Sequence, residues 1–136
     1  MILATAALCL SLNVYMEARS EPFVGQLAVA QVTLNRASHR NENVCNEVVK
    51  RAQFSWTKGK VQLKHGKFYL SDRFKPNEKD KAWLLAKGIA MVAMKRLGPD
   101  VTQGATFYHA VYVNPTWNRK MLLVRTIGRH KFYRII

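Results

Sequence analysis

From Leu3 to Arg19 the polar positions are few (Thr5, Ser11, Asn13 and Glu17 before the closing Arg19), and apolar side chains cover nearly every face of a 3.6-residue turn. Neither Gly nor Pro interrupts the run, so it reads as a helix surrounded by core rather than laid along its edge. Glu21-Pro22 follows. Proline disfavours helical geometry in the residue before it and suits the first turn of a new helix, which predicts a break near Ser20. From Pro22 to about Ser38, Val24, Leu27, Ala28, Gln31, Val32, Leu34 and Asn35 predict a second helix with one apolar face. A short third helix is expected from Glu42 to Arg51.

Residues 53 to 75 mix aromatics, glycines and lysines without a clean period and predict loops with short strands. Asn77 to Arg96 reads as an amphipathic helix, with Asn77 as N-cap, Glu78 and Asp80 in the first turn, and Lys95 and Arg96 at its end. Gly98-Pro99 stops it. From Thr106 to Ile136, aromatic and β-branched residues alternate, as in loops and short strands. The expected fold class is α+β, mainly α, with residues 1–136 forming a single domain, since 136 residues suffice for one core.

The apolar N-terminus has no Lys or Arg ahead of Arg19, unlike an export signal, and is too short to span a bilayer comfortably. It reads as a buried helix of a chain made in the cytoplasm without its own export tag. Cys9 lies inside that run and reads as a small core residue rather than as half of a bridge with Cys45. No Cys/His spacing of zinc type is present, and neither a metal nor another cofactor is expected.

Charge changes the picture. Twenty-two Lys and Arg against eight Asp and Glu give a net charge of +14, which draws the chain to polyanions: nucleic acid, an anionic membrane or a bacterial envelope. The scarcity of acids also shortens the search for a catalytic carboxylate to Glu17, Glu21, Glu42, Glu47, Asp72, Glu78, Asp80 and Asp100. Most of them have an ordinary explanation at helix starts, loops or polar surface. Glu17 differs because it ends an apolar helix beside Tyr15 and Met16. Partial desolvation and the negative pole of the helix both favour its neutral form and raise its pKa, as a proton donor to a glycosidic oxygen requires. On the residues alone, a structural Glu paired with Arg19 is an equally good reading.

The stretch Asn13-Val-Tyr-Met-Glu-Ala-Arg-Ser-Glu-Pro22, continuing through Gly25-Gln-Leu-Ala-Val-Ala-Gln-Val-Thr-Leu-Asn-Arg36, resembles the opening of the SleB/CwlJ cell-wall hydrolase family, best known from spore cortex-lytic enzymes. Gln53-Phe-Ser-Trp56, Phe107-Tyr-His109, Pro115 with Trp117, and Ile127-Gly-Arg-His-Lys-Phe-Tyr-Arg134 are similar to its later blocks, in the same order. The resemblance implies a lysozyme-like, lytic transglycosylase-like domain that cuts peptidoglycan glycan strands between N-acetylmuramic acid and N-acetylglucosamine. It places the family's catalytic glutamate on Glu17. Ser20 stands where the family usually has Gly, which a helix junction accepts if φ there is negative.

Ordinary retaining and inverting glycosidases need two carboxylates, whereas lytic transglycosylases need one, so the resemblance favours 1,6-anhydro products over the hydrolytic muramidase alternative. Glu21, Gln53, Phe54, Ser55, Trp56, Tyr108, His109 and Trp117 are the candidate substrate-binding residues, each aromatic among them being equally at home in a small core. Tyr108 leads, because the resemblance implies a Tyr near the acid; His130 and Tyr133 are expected to lock the C-terminal segment. The expected partners are peptidoglycan glycan strands and the anionic bacterial envelope surface, met by a monomer in a phage lysis or housekeeping role. Nucleic acid is not expected: basic residues interleaved with aromatics, as in Lys64-His-Gly-Lys-Phe-Tyr69, motivate a nucleic-acid-binding module as the rival class, but no recognised binding motif accompanies them.

Overall fold

The computed structural model describes residues 1–51, 56–57, 59–115 and 120–135. In chain order its elements are β1 (Ile2–Leu3), α1 (Ala6–Ala18), α2 (Phe23–Arg36), α3 (Asn41–Arg51), β2 (Val61–Lys64), β3 (Lys67–Leu70), α4 (Lys81–Met94), β4 (Phe107–Ala110), β5 (Met121–Ile127) and β6 (His130–Ile135). Two antiparallel sheets form, with strand orders β1-β3-β2 and β4-β6-β5. The expected mainly helical α+β class is the one observed.

Helix α1 begins where Thr5 accepts the Leu8 N–H through Oγ1 at 3.2 Å. Cys9, Leu10, Leu12, Val14 and Ala18 are buried around it, among α2, α3 and α4. Its polar interruptions are satisfied internally: Ser11 Oγ donates to the Ala7 carbonyl at 2.7 Å, and the Thr33 hydroxyl donates to Asn13 Oδ1 at 2.7 Å across to α2. The helix starts later than the apolar pattern suggests. Ile2 and Leu3 are strand residues, paired with Leu70 and Tyr69 of β3.

Two further expectations are corrected. Cys9 and Cys45 form a disulfide with Cα atoms 5.2 Å apart, tying α1 to α3. The apolar surroundings that make Cys9 look like a plain core residue are the same packing that presses α1 against α3. Helix α4 is capped by Asp80, not Asn77: Asp80 Oδ1 accepts the Ala82 N–H at 2.9 Å, while Asn77 Oδ1 caps only the turn before it, accepting the Lys79 N–H at 2.8 Å. The Tyr15 hydroxyl donates to Asp80 Oδ2 at 2.6 Å, holding the carboxyl below its usual range and raising the phenol.

A second core joins α2 to the β4-β6-β5 sheet through Ala28, Val29, Val32, Ala105, Ile127 and Phe132. The polar end of α2 fixes the approach to β4. Asn35 donates to the Ala105 carbonyl at 2.9 Å, and Arg36 donates to the Thr106 carbonyl at 3.0 Å and to Glu47 of α3 at 3.1 Å. Asp100 organises the loop between, accepting from Thr102, Gly104 and Asn35. Burial acts to raise the Asp100 carboxyl, but these bonds prevail and leave it below its usual range. Among the described residues no helix is long and apolar enough to cross a membrane.

Candidate active site

Glu17 is the penultimate residue of α1 and is half-buried. Ahead of it the helix is sealed in the core; behind it the chain turns sharply, the Glu21 N–H bonding back to the Ala18 carbonyl at 2.9 Å before Pro22 starts α2. Ser20, at the corner, is not among the residues with positive φ, so serine takes the place of the family's glycine without strain.

Two open hollows meet at Glu17. The larger, of about 460 Å³, is lined by Met16, Glu17, Tyr108, His109, Ala110, Tyr112 and His130. The smaller, of about 140 Å³, shares Glu17, Ala110, Tyr112 and His130 and adds Ser20, Glu21 and Arg129. Glu17 therefore lines both hollows, and Ala110, Tyr112 and His130 are common to the two.

The walls come from β4 and from the tight turn between β5 and β6. On β4, Tyr108 packs edge-on against the His130 ring at 5.2 Å. His109 is fixed at both nitrogens: Nδ1 lies 2.7 Å from the Ala110 carbonyl oxygen, so it donates there, and Nε2 lies 2.8 Å from the Tyr133 hydroxyl. After β4 the chain turns outward, and Tyr112 stands 86% exposed at the mouth of both hollows.

Glu21 holds the other wall. Its side chain is only 4% exposed, and Oε1 accepts the Arg129 N–H at 2.9 Å and lies 3.0 Å from His130 Nδ1. The turn residue Gly128 has φ +57°, and a Cβ there would sit 2.9 Å from Glu21 Oε2. Gly128→Ala is therefore expected to lower stability by about 1–2 kcal/mol from the left-handed backbone alone, and to reduce activity by displacing the carboxylate that seats the turn. Urea denaturation measures the first effect, and an unchanged midpoint would refute it; unchanged activity would mean that Glu21 does not lock this turn.

Of the residues singled out from sequence, Glu17, Glu21, Tyr108 and His109 are brought together here. Trp56 is not: it is buried and stacks on Phe74, 5.8 Å between ring centres, as part of the core under α1. Gln53, Phe54, Ser55 and Trp117 lie outside the described residues. His130, expected to serve only in locking the C-terminal segment, lines both hollows as well. Tyr112 carries no periodic or spacing signal, and Arg129, although inside the Ile127–Arg134 block, is not singled out there; the folded turns bring both to the smaller hollow.

Comparison with known proteins identifies the family of the chain. The chain is similar to the catalytic domain of the germination-specific lytic transglycosylase SleB from Bacillus anthracis, with 26% identity and a TM-score of 0.66 over 95% of this chain and 93% of that one. It is likewise similar to the catalytic domain of the SleB protein of Bacillus cereus, with 28% identity and a TM-score of 0.63 over 95% of this chain and 90% of that one. No curated protein matches the sequence. The profile of the Cell Wall Hydrolase family matches residues 20–133, beginning three positions after Glu17. With most of its length matched, this chain belongs to the Cell Wall Hydrolase family.

Proposed function

We propose that this protein cleaves the glycan strand of peptidoglycan between N-acetylmuramic acid and N-acetylglucosamine as a lytic transglycosylase, with Glu17 as its acid and base. The observation that carries the reading is the placement of Glu17: a carboxyl at the end of a core helix, opening on two hollows at once. Family membership and the similarity to SleB catalytic domains support it.

Protonated Glu17 gives its proton to the glycosidic oxygen as the bond from that oxygen to the muramic acid C1 breaks. The substrate's own acetamido oxygen steadies the positive charge developing at C1. The resulting carboxylate then takes the proton of the C6 hydroxyl, whose oxygen bonds to C1 and closes a 1,6-anhydro ring. The leaving strand keeps the first proton, Glu17 regains the second, and no water is consumed. Tyr108 serves as a hydrogen-bonding wall beside the acid, His109 braces that wall, and Glu21 positions the opposite turn.

Mass spectrometry of fragments from purified peptidoglycan tests the reaction. Anhydromuramoyl ends are the expected result; reducing muramic acid ends would make the enzyme a hydrolytic muramidase with the same acid. Intact strands would remove the proposal. A cell-wall site of action also suits the disulfide, since bonds of this kind persist outside the reducing cytoplasm.

A further inference from the structure

We infer that the smaller hollow beside Glu17 is a carboxylate-recognition subsite, in which Arg129 binds an ionised carboxyl group carried by the glycan strand. The inference rests on the glycan-cleaving reading and adds a selectivity to it.

Arg129 sits at the tip of the β5–β6 turn, exposed, with its backbone held from both sides: its N–H donates to Glu21 at 2.9 Å, and its carbonyl accepts the Val111 N–H at 2.8 Å. A hairpin-tip arginine usually wags with its turn; this one has a fixed base. Arg129 helps to line the hollow, and among the described residues no carboxylate pairs with the guanidinium. Glu21, the nearest acid by contact, accepts the Arg129 backbone N–H and meets His130 through the same oxygen.

The planar guanidinium presents paired N–H groups that match a carboxylate, and this makes arginine the usual choice for recognising that group. Tyr112, at the rim of the same hollow, offers an exposed ring to the apolar face of a sugar. A flat aromatic beside an anchored cation fits a sugar ring bearing a negative substituent. Peptidoglycan supplies such carboxylates from two sources: the lactyl group of muramic acid where no peptide is attached, and the stem peptide where one is.

The test uses soluble strands of both kinds, stem-bearing and stripped by an amidase, each compared with its own carbodiimide-amidated, neutral form at one ionic strength. The wild type is expected to cleave at least one charged form with kcat/KM roughly tenfold above its neutral counterpart, mainly through KM, the scale of one charge-assisted hydrogen bond. The kind that shows the preference identifies the source of the carboxylate. Arg129→Gln should bring that ratio to near 1. Arg40→Gln, the same loss of charge at the exposed α2–α3 turn, should keep it. A wild-type ratio near 1 for both kinds, or an equal collapse in Arg40→Gln, would overturn the inference, the latter because the net charge of +14 alone would then account for the preference. The wild-type ratio does not depend on any variant folding. Failure of the wild type to cut any strand would instead refute the glycan-cleaving reading.

Discussion

Glu17→Gln is expected to lower glycan cleavage by about a thousandfold, within the range that a positioned general acid contributes, while the protein stays folded. The substitution keeps the shape of the side chain and removes only its capacity to give and take a proton. Two steps of the proposed reaction use that capacity: protonation of the leaving oxygen and removal of the C6 proton. Stability should hardly change, because Glu17 is half-buried at the last turn of α1 and the helix is held by Cys9, Leu10, Leu12 and Val14 further back. Release of soluble fragments from purified peptidoglycan reads the activity, and thermal unfolding reads the fold. Near-normal release by a folded Glu17→Gln protein would move the acid elsewhere, and Glu21, the other carboxyl lining the smaller hollow, would be the next to test.

The contrast between these two glutamates marks how far the sequence could be read. Glu17 has a local setting, an apolar run, a helix end and a proline five residues on, which makes it a candidate, and the family resemblance singles it out. Glu21 is not legible in this way, since what defines its role is a backbone N–H 108 positions away and a histidine beside it. Helices α1, α2 and α4 follow from periodicity and from Pro22, Gly98 and Pro99, which act within a few residues. Strand β1 is two residues long and exists only because Leu70 and Tyr69 pair with it, so nothing in Ile2-Leu3 announces it. Asn77 and Asp80 are both good caps on local grounds; the bond from Tyr15, 65 residues earlier, accompanies the choice of Asp80. Trp56 illustrates the ambiguity of aromatics, which suit a sugar platform and a core equally until packing decides. Among the described residues, the strongly exposed aromatic at the hollows is Tyr112, in a turn without any pattern.

Removing the Cys9–Cys45 bridge should have the largest effect on stability. The bond joins residues 36 positions apart, and constraining a loop of that length in the unfolded chain contributes about 4 kcal/mol in the entropic model. For a chain of this size that corresponds to a fall of about 12 °C in Tm. The double variant Cys9→Ala/Cys45→Ala and the wild type under a thiol reductant should both show it, whereas Glu17→Gln should not. Helix α1 carries the acid eight residues beyond Cys9, and α3 is its disulfide partner. Below the lowered Tm, however, the apolar packing of α1 against α2 and α4 still places Glu17 between the two hollows. Cleavage at low temperature should therefore survive reduction and fail only as the protein unfolds. Thiol titration of the native protein should find no free cysteine. Identical melting curves with and without reductant would show that the bridge does not hold the fold, and loss of cleavage well below the reduced Tm would show that it instead sets the geometry of the acid.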